Sequence, residues 1–408
     1  MDGRKVFSLI VLGFLVVGCH RGPAPDFPDW LGKTTGPPPS LDPSNGFSYY
    51  VKAADEAEKT GGKYLDMVSF FPAQRKKAMD DTAGAVRLAV EGTGHKCDFA
   101  FTPLSPFAAP PHQRGWRLIG RDLVWRIEDA VRAADYGAAV QNANLATKFG
   151  FDISGGCATD ASLGLAIVDN ARQAIAPALD HMDAGQLASL SEGIKRALQS
   201  EPTLSTTIDH EHECMLLGVQ AVQDAYRANN FDVLMKQLGP DTRSAVDFLD
   251  DLHRKDNSKR PQYFQDFAAE ADAEQKWSES IADIPVAQRA AHPEPRFKGD
   301  RPYKKFAKQF FNSVKPLVEL HDATLARTRL LILEASILSQ IKRDGAAPKD
   351  LTGLDASLIT DPYSGKPFIY GADGKDYHVY SVGSDFRDDG GETDETFSQP
   401  DLRLEKGF

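Results

Sequence analysis

From Asn45 to about residue 282 the chain carries almost no period-two alternation, and this narrows its fold more than any other feature. Apolar residues recur instead at three and four, with alanines interleaved. "NGFSYYVKAADEAEK" opens with Asn45 as a helix N-cap and continues in helix formers. "AQRKKAMDDTAGAVRLAVEG" reads as a second helix ending near Gly92. Two more are expected around Tyr136–Gly137, with Ile119, Leu123, Ile127, Val131 and Ala134 on one face. Further helices are expected over 158–181, 184–199, 204–228, 243–254 and 260–282, with Pro177, Pro202 and Pro240 marking interruptions or starts. The helix–turn–helix texture is similar to tetratricopeptide-type pairs, but no constant repeat period is present, so a solenoid is not expected.

The last ninety residues differ in texture. Residues 317–345 form the longest periodic stretch, with Leu330, Leu333, Ile337 and Ile341 on one face, broadened by Leu331 and Leu338. Asp322, Arg329, Ser336 and Arg343 mark an expected polar stripe opposite. Gly345 suits the position just past a helix end, and Pro348 prevents continuation. "FIYGADGKDYHVYSV" then reads as a β-hairpin, with aromatic and β-branched runs flanking Asp373–Gly374. The expected fold class is therefore mainly α: an irregular helical array over 45–316, then a long helix and a small antiparallel β cap with an acidic loop over 317–408.

At the N-terminus, Arg4 and Lys5 precede twelve largely apolar residues, "VFSLIVLGFLVV". That run is too short for a membrane-spanning helix and fits a signal-peptide core over residues 1–18. Its end, "VVGC", resembles the lipobox of bacterial lipoproteins. The resemblance implies cleavage before Cys19 and lipid attachment to its thiol, which anchors the chain to a membrane. His20 in place of aspartate implies, by analogy with lipoprotein sorting, the periplasmic face of the outer membrane within the cell envelope. Residues 20–44 hold seven prolines and three glycines, so 19–44 reads as a tether with stiff, extended stretches. The net charge is −11, and −12 once residues 1–18 are removed, which argues against nucleic acid and anionic lipid as partners. Three cysteines remain beyond Cys19 (Cys97, Cys157 and Cys214), which allows at most one internal bridge and leaves a thiol over.

The segment from the long helix through "DPYSGKPFIY" to "YSVGSDFRDDGGETDET" resembles the C-terminal part of type II secretion major pseudopilins. Ser381, Gly383, Asp385, Gly390, Gly391, Glu392 and Asp394 stand at matching residue types with nearly matching spacing. A similar ending is found in lipoproteins of planctomycete-like bacteria. The resemblance covers about 80 residues and implies a local fold and a Ca2+ site. Two departures stand out: Phe386 replaces a usual glycine, and the chain does not begin with a pseudopilin assembly helix. Chemically, Asp385, Asp388, Asp389, Glu392 and Asp394 offer carboxylate oxygens to calcium, which takes six to eight of them. Gly390–Gly391 supplies the curvature. The competing reading of this run is a solvated acidic tail.

"DHEHEC", Asp209 to Cys214, is the one dense metal-ligand cluster in the sequence. His210, His212 and Cys214 would share a face on a strand and could hold Zn2+, as in a metal-dependent hydrolase. The flanking residues read as helix, which sends His212 away from His210. Cys157 follows "SGG" near an expected helix start, a place that lowers a thiol pKa, but no base is tied to it by spacing. The pattern as a whole points to a lipid-anchored envelope protein serving as a non-catalytic interaction or scaffold protein with a protein partner. The alternatives are an accessory of a secretion or pilus-like system and the zinc hydrolase.

Overall fold

The computed structural model describes residues 42–67, 70–103, 112–228, 269, 273–294, 314–391 and 401–404. The expected signal peptide, Cys19, residues 19–41 of the tether and the expected helix over 243–254 lie outside them. The described chain is mainly α-helical with one two-stranded antiparallel sheet. Its helices are α1 (Gly46–Gly61), α2 (Pro72–Thr93), α3 (Gln113–Arg132), α4 (Tyr136–Ile153), α5 (Ala158–Ile175), α6 (Ala184–Leu198) and α7 (Leu204–Ala228). A helical segment over 273–281 and a 3-10 turn, Val286–Ala291, precede the long α8 (Val314–Asp344). The short α9 (Ala356–Ile359) and the strands β1 (Ile369–Asp373) and β2 (Asp376–Tyr380) complete the order.

Helix starts follow local chemistry. Asn45, Asp135 and Asp183 cap α1, α4 and α6, each side chain accepting a backbone N–H in the first turn. Pro177 stands where α5 gives way to a 3-10 turn, Ala176–His181. The expected break near Tyr136–Gly137 falls slightly earlier. Ala134 has φ 55° and is exposed, so it ends α3 and does not extend that helix's apolar face as expected. The amides of Ala134 and Asp135 bond to the carbonyls of Val131 and Ala130 at 3.0 and 2.9 Å, the paired bonds of a Schellman ending.

The array packs closely because small residues lie at the crossings. A Cβ on Gly115 would stand 2.1 Å from the Ala54 carbonyl oxygen, so α3 crosses α1 nearly backbone to backbone. Gly150 and Gly164 do the same for α4 and α5. Ile119, Leu123 and Ile127 of α3 are wholly buried in the main core, with Tyr50 and Phe149.

Helix α8 departs from the expected amphipathic form, because both of its sides are buried. Leu331, Ile332 and Ala335 enter the core shared with α1–α6, whereas Leu330, Leu333 and Ile337 pack under Phe368 and Val379 of the cap. The expected polar stripe is therefore mostly internal. Asp322 is 5% exposed and takes a two-pronged ion pair from Arg289, Arg329 donates to the Thr360 carbonyl at 2.6 Å, and Ser336 shares a 2.8 Å bond with Ser191 of α6. Of those four residues, only Arg343 is exposed. The hairpin turns through Gly374–Lys375, with Asp373 paired to Asp376 and φ 64° at Gly374.

His321 of α8 sits in the same buried network, 3.1 Å from the Glu201 carboxylate and 3.8 Å from that of Asp322. Burial alone would lower its pKa. The two carboxylates outweigh burial and push it up to about 9. The folded state thus holds a proton that the unfolded chain releases near pH 6.5, so stability is full below that pH and declines toward pH 9. We expect a loss of up to about 3 kcal/mol across this window in urea unfolding. His321→Gln should flatten that dependence.

Candidate functional site

The C-terminal cap is organised around one carboxylate. Asp361 opens the "DPYSGKP" turn and is 1% exposed. Its Oδ1 accepts from the Tyr363 amide at 3.0 Å and the Ser381 hydroxyl at 2.8 Å, and its Oδ2 accepts from the Ser364 hydroxyl at 3.0 Å. The first and third of these bonds are local turn chemistry. The second reaches twenty positions along the chain and fixes Ser381, where the acidic loop begins. Ser381 also forms a two-bond antiparallel bridge with Leu402, at 3.0 and 2.9 Å, so the returning chain closes over the loop.

The described part of the acidic loop runs to Gly391. A 3-10 turn, Gly383–Asp385, leads to Phe386, whose φ is 63°. A left-handed backbone at this position is the physical reason a glycine suits it. Asp385 is half-buried and accepts from the Arg387 amide at 3.0 Å. Asp388 accepts from the Tyr380 hydroxyl at 2.8 Å and the Gly390 amide at 3.0 Å, contacts that hold its carboxyl below the usual range. Asp389 is exposed, and its amide, with that of Gly391, donates to Oδ2 of Asp401 at 3.0 and 2.7 Å. Gly390 and Gly391 have φ 75° and 76°, which lets both sides of the loop turn onto Asp401.

Asp401 is a residue the sequence reading missed. It lies beyond the acidic run, yet it is wholly buried and its Oδ1 has no hydrogen-bond donor. Burial raises its pKa, the two amides oppose that rise, and the charges of Asp388 and Asp389 add to it. An orphaned, buried carboxylate oxygen within the field of the Asp388 and Asp389 charges has the donor chemistry of a hard-cation ligand. Glu392 and Asp394, two of the five expected ligands, lie outside the described residues. Among the described residues, no group of three or more His, Cys, Asp or Glu side chains is placed to hold a metal ion.

The "DHEHEC" cluster lies on α7, as its flanks suggested, and its parts are used separately. His210 stacks on Phe101, and its Nδ1 is 2.7 Å from the Gly155 carbonyl oxygen. Glu211 is buried and accepts from the Ala158 amide at 2.9 Å, the first residue of α5. The Cys214 thiol bonds to Cys157. His210, His212 and Cys214 do not converge, because positions i, i+2 and i+4 of a helix point in different directions.

A groove of about 680 Å3 lies between α3 and α5. Gly120 and Ile167 touch at its floor, and Arg117, Arg121, Trp125 and Leu163 line its sides. Arg121 donates to the Tyr64 carbonyl at 3.1 Å and stands over the Phe70 and Trp125 rings. Arg75 also stands over the Trp125 ring and pairs with Glu128 and Asp129. Arg117 is exposed at the rim. A locally basic, aromatic groove is thus present on a strongly acidic chain.

Comparison with known proteins found no matching family, curated protein or solved structure.

Removing the Asp361 carboxylate leaves three donors without an acceptor, two of them fixed in a buried turn. Asp361→Ala is expected to lower stability by about 2–4 kcal/mol, and Ser381→Ala by about 1 kcal/mol, in denaturant titrations.

Proposed function

We propose that this chain is a lipid-anchored envelope protein without chemistry of its own, which holds an acidic segment of a partner protein in the groove between α3 and α5. The observation that carries the reading is the basic, aromatic groove on a chain of net charge −11. Local charge of the opposite sign steers and orients an acidic partner, and an arginine–aromatic wall supplies desolvated contact area. The "VVGC" ending and the proline-rich tether support attachment through Cys19, with the folded body held off the membrane. The burial of α8 on both sides supports a scaffold, since the helical body and the cap then form one packed unit. A photo-crosslinking residue placed at Ser162 on the groove wall should give one discrete adduct in intact envelopes. Arg117→Glu, a rim change with no packing role, should reduce that adduct several-fold, and raised salt should do the same. An adduct insensitive to both would overturn the docking reading.

The cap supports a second reading, an accessory of a secretion or pilus-like machine. The left-handed backbone at Phe386, where pseudopilin-type loops have glycine, is the observation that favours it. On this reading Ca2+ is held by Asp385, Asp388, Asp389, Glu392 and Asp394, with the orphaned oxygen of Asp401 as a further donor. Calcium at a hundred times its Kd would add about 2.7 kcal/mol of stability, seen as a rise in melting temperature. Asp401→Asn keeps an acceptor for the two amides but removes a charge. It should abolish the calcium response while leaving the calcium-free protein as stable or more so. If Ca2+ leaves the wild-type melting curve unchanged, both the ion site and the secretion reading fail. The zinc hydrolase reading finds no supporting geometry in the described residues.

A further inference from the structure

Three cysteines follow Cys19, and the structure sorts them. Cys97 lies between α2 and α3, with its thiol 3.6 Å from the Asp152 carbonyl oxygen. Burial pushes its pKa up, and the Asp152 charge adds to the rise, so it is a poor nucleophile. Cys157 and Cys214 are 57 positions apart in the sequence but share a hydrogen bond between their thiols. Cys157 is half-buried at the N-cap of α5, and Cys214 is 4% exposed on α7.

Three neighbouring contacts hold the two helices in this register. The Ala158 amide donates to Glu211 at 2.9 Å, His210 meets the Gly155 carbonyl at 2.7 Å, and the Thr207 hydroxyl donates to the Ser154 carbonyl at 3.5 Å. All three pair residues 154–158 with α7, and the thiols meet on the same seam. The approach is therefore built by the packing on either side of the thiols, and a bridge requires the two sulfurs to close to about 2.05 Å.

We propose that Cys157 and Cys214 form a reversible disulfide that ties the start of α5 to α7, with Cys97 left as a thiol. The Cys214 thiol donates to Cys157 and holds its pKa below the usual value, while burial and the Asp160 and Glu211 charges oppose this. Cys157 is also the more accessible of the two, so it reacts first. Its thiolate attacks one sulfur of a disulfide oxidant, such as glutathione disulfide, forming a mixed disulfide and expelling one thiolate that takes up a proton. Cys214 then loses its proton and attacks the Cys157 sulfur, closing the internal bridge and releasing the second thiol. Two protein thiols are oxidised, and one external disulfide is reduced to two thiols.

The full purified chain is incubated with excess glutathione disulfide, its remaining thiols are alkylated, and its peptides are mapped without reduction. The expected result is a cross-linked pair containing Cys157 and Cys214, with Cys97 alkylated. Cys97→Ser should leave the cross-link in place, whereas Cys157→Ser and Cys214→Ser should each abolish it. Reduction should lower the melting temperature of the oxidised wild type by about 5 °C. Alkyl groups on both Cys157 and Cys214 after oxidation, or a bridge that engages Cys97, would overturn the assignment. These readouts come from the isolated chain, so their failure leaves the groove and the cap readings standing.

Discussion

Helix α8 lies between two apolar cores, and most of the fold depends on that position. Its leucines and isoleucines serve both cores, so each substitution there would open a cavity against the helical body or the β cap. A helix buried on both sides has little room for unpaired polar groups. Asp322, His321, Arg329 and Ser336 are accordingly tied to Arg289, Glu201, Thr360 and Ser191. The cap is then held by Phe368 and Val379 against α8, by the Tyr377 hydroxyl donating to Glu334, and by the Arg329 bond to Thr360, next to Asp361. The acidic loop hangs from that junction through Ser381. The loop's geometry is thus inherited from a helix more than forty residues upstream.

Close helix approach has a second consequence. Where glycine or alanine meets backbone, two helices come near enough to exclude side chains from the seam, and longer side chains are displaced to its edges. Between α3 and α5, by contrast, Gly120 makes room for the Ile167 side chain, which fills the seam there. The arginines and Trp125 are left standing along the sides, which makes the groove. The α5–α7 seam is set differently, by the bonds of Thr207, His210 and Glu211 to residues 154–158, and those bonds bring two distant thiols together.

Much of the helical architecture was legible along the chain. The cap at Asn45 and the stops at Pro177 and Gly345 are short-range signals that survive in the fold. The hairpin was legible because aromatic and β-branched residues flank a glycine turn. Errors arose where a second layer of structure intervened. The stripe of Asp322, Arg329 and Ser336 has the spacing of a solvent face, and it became internal because Arg289, the cap at Thr360 and Ser191 of α6 cover it in turn. Ala134 has helical propensity but takes the left-handed position because the Schellman bonds select it. Asp401 was invisible as a site residue because its role depends on the chain returning past Ser381. "DHEHEC" looked like one ligand set, whereas helix geometry distributes it among Phe101, Gly155, Ala158 and Cys157.

The sequence by itself determined the mainly helical class, the ends of several helices and the hairpin, because those depend on contacts within a few residues. It also contained the carboxylates of the loop and the three thiols, but only as composition. Only the tertiary structure decided which face of α8 meets which core, that Asp361 holds Ser381, that Asp401 is orphaned under the loop and that Cys157 faces Cys214. Each of those outcomes is a meeting of residues far apart in sequence, produced by burial and close packing, and no local periodicity encodes it.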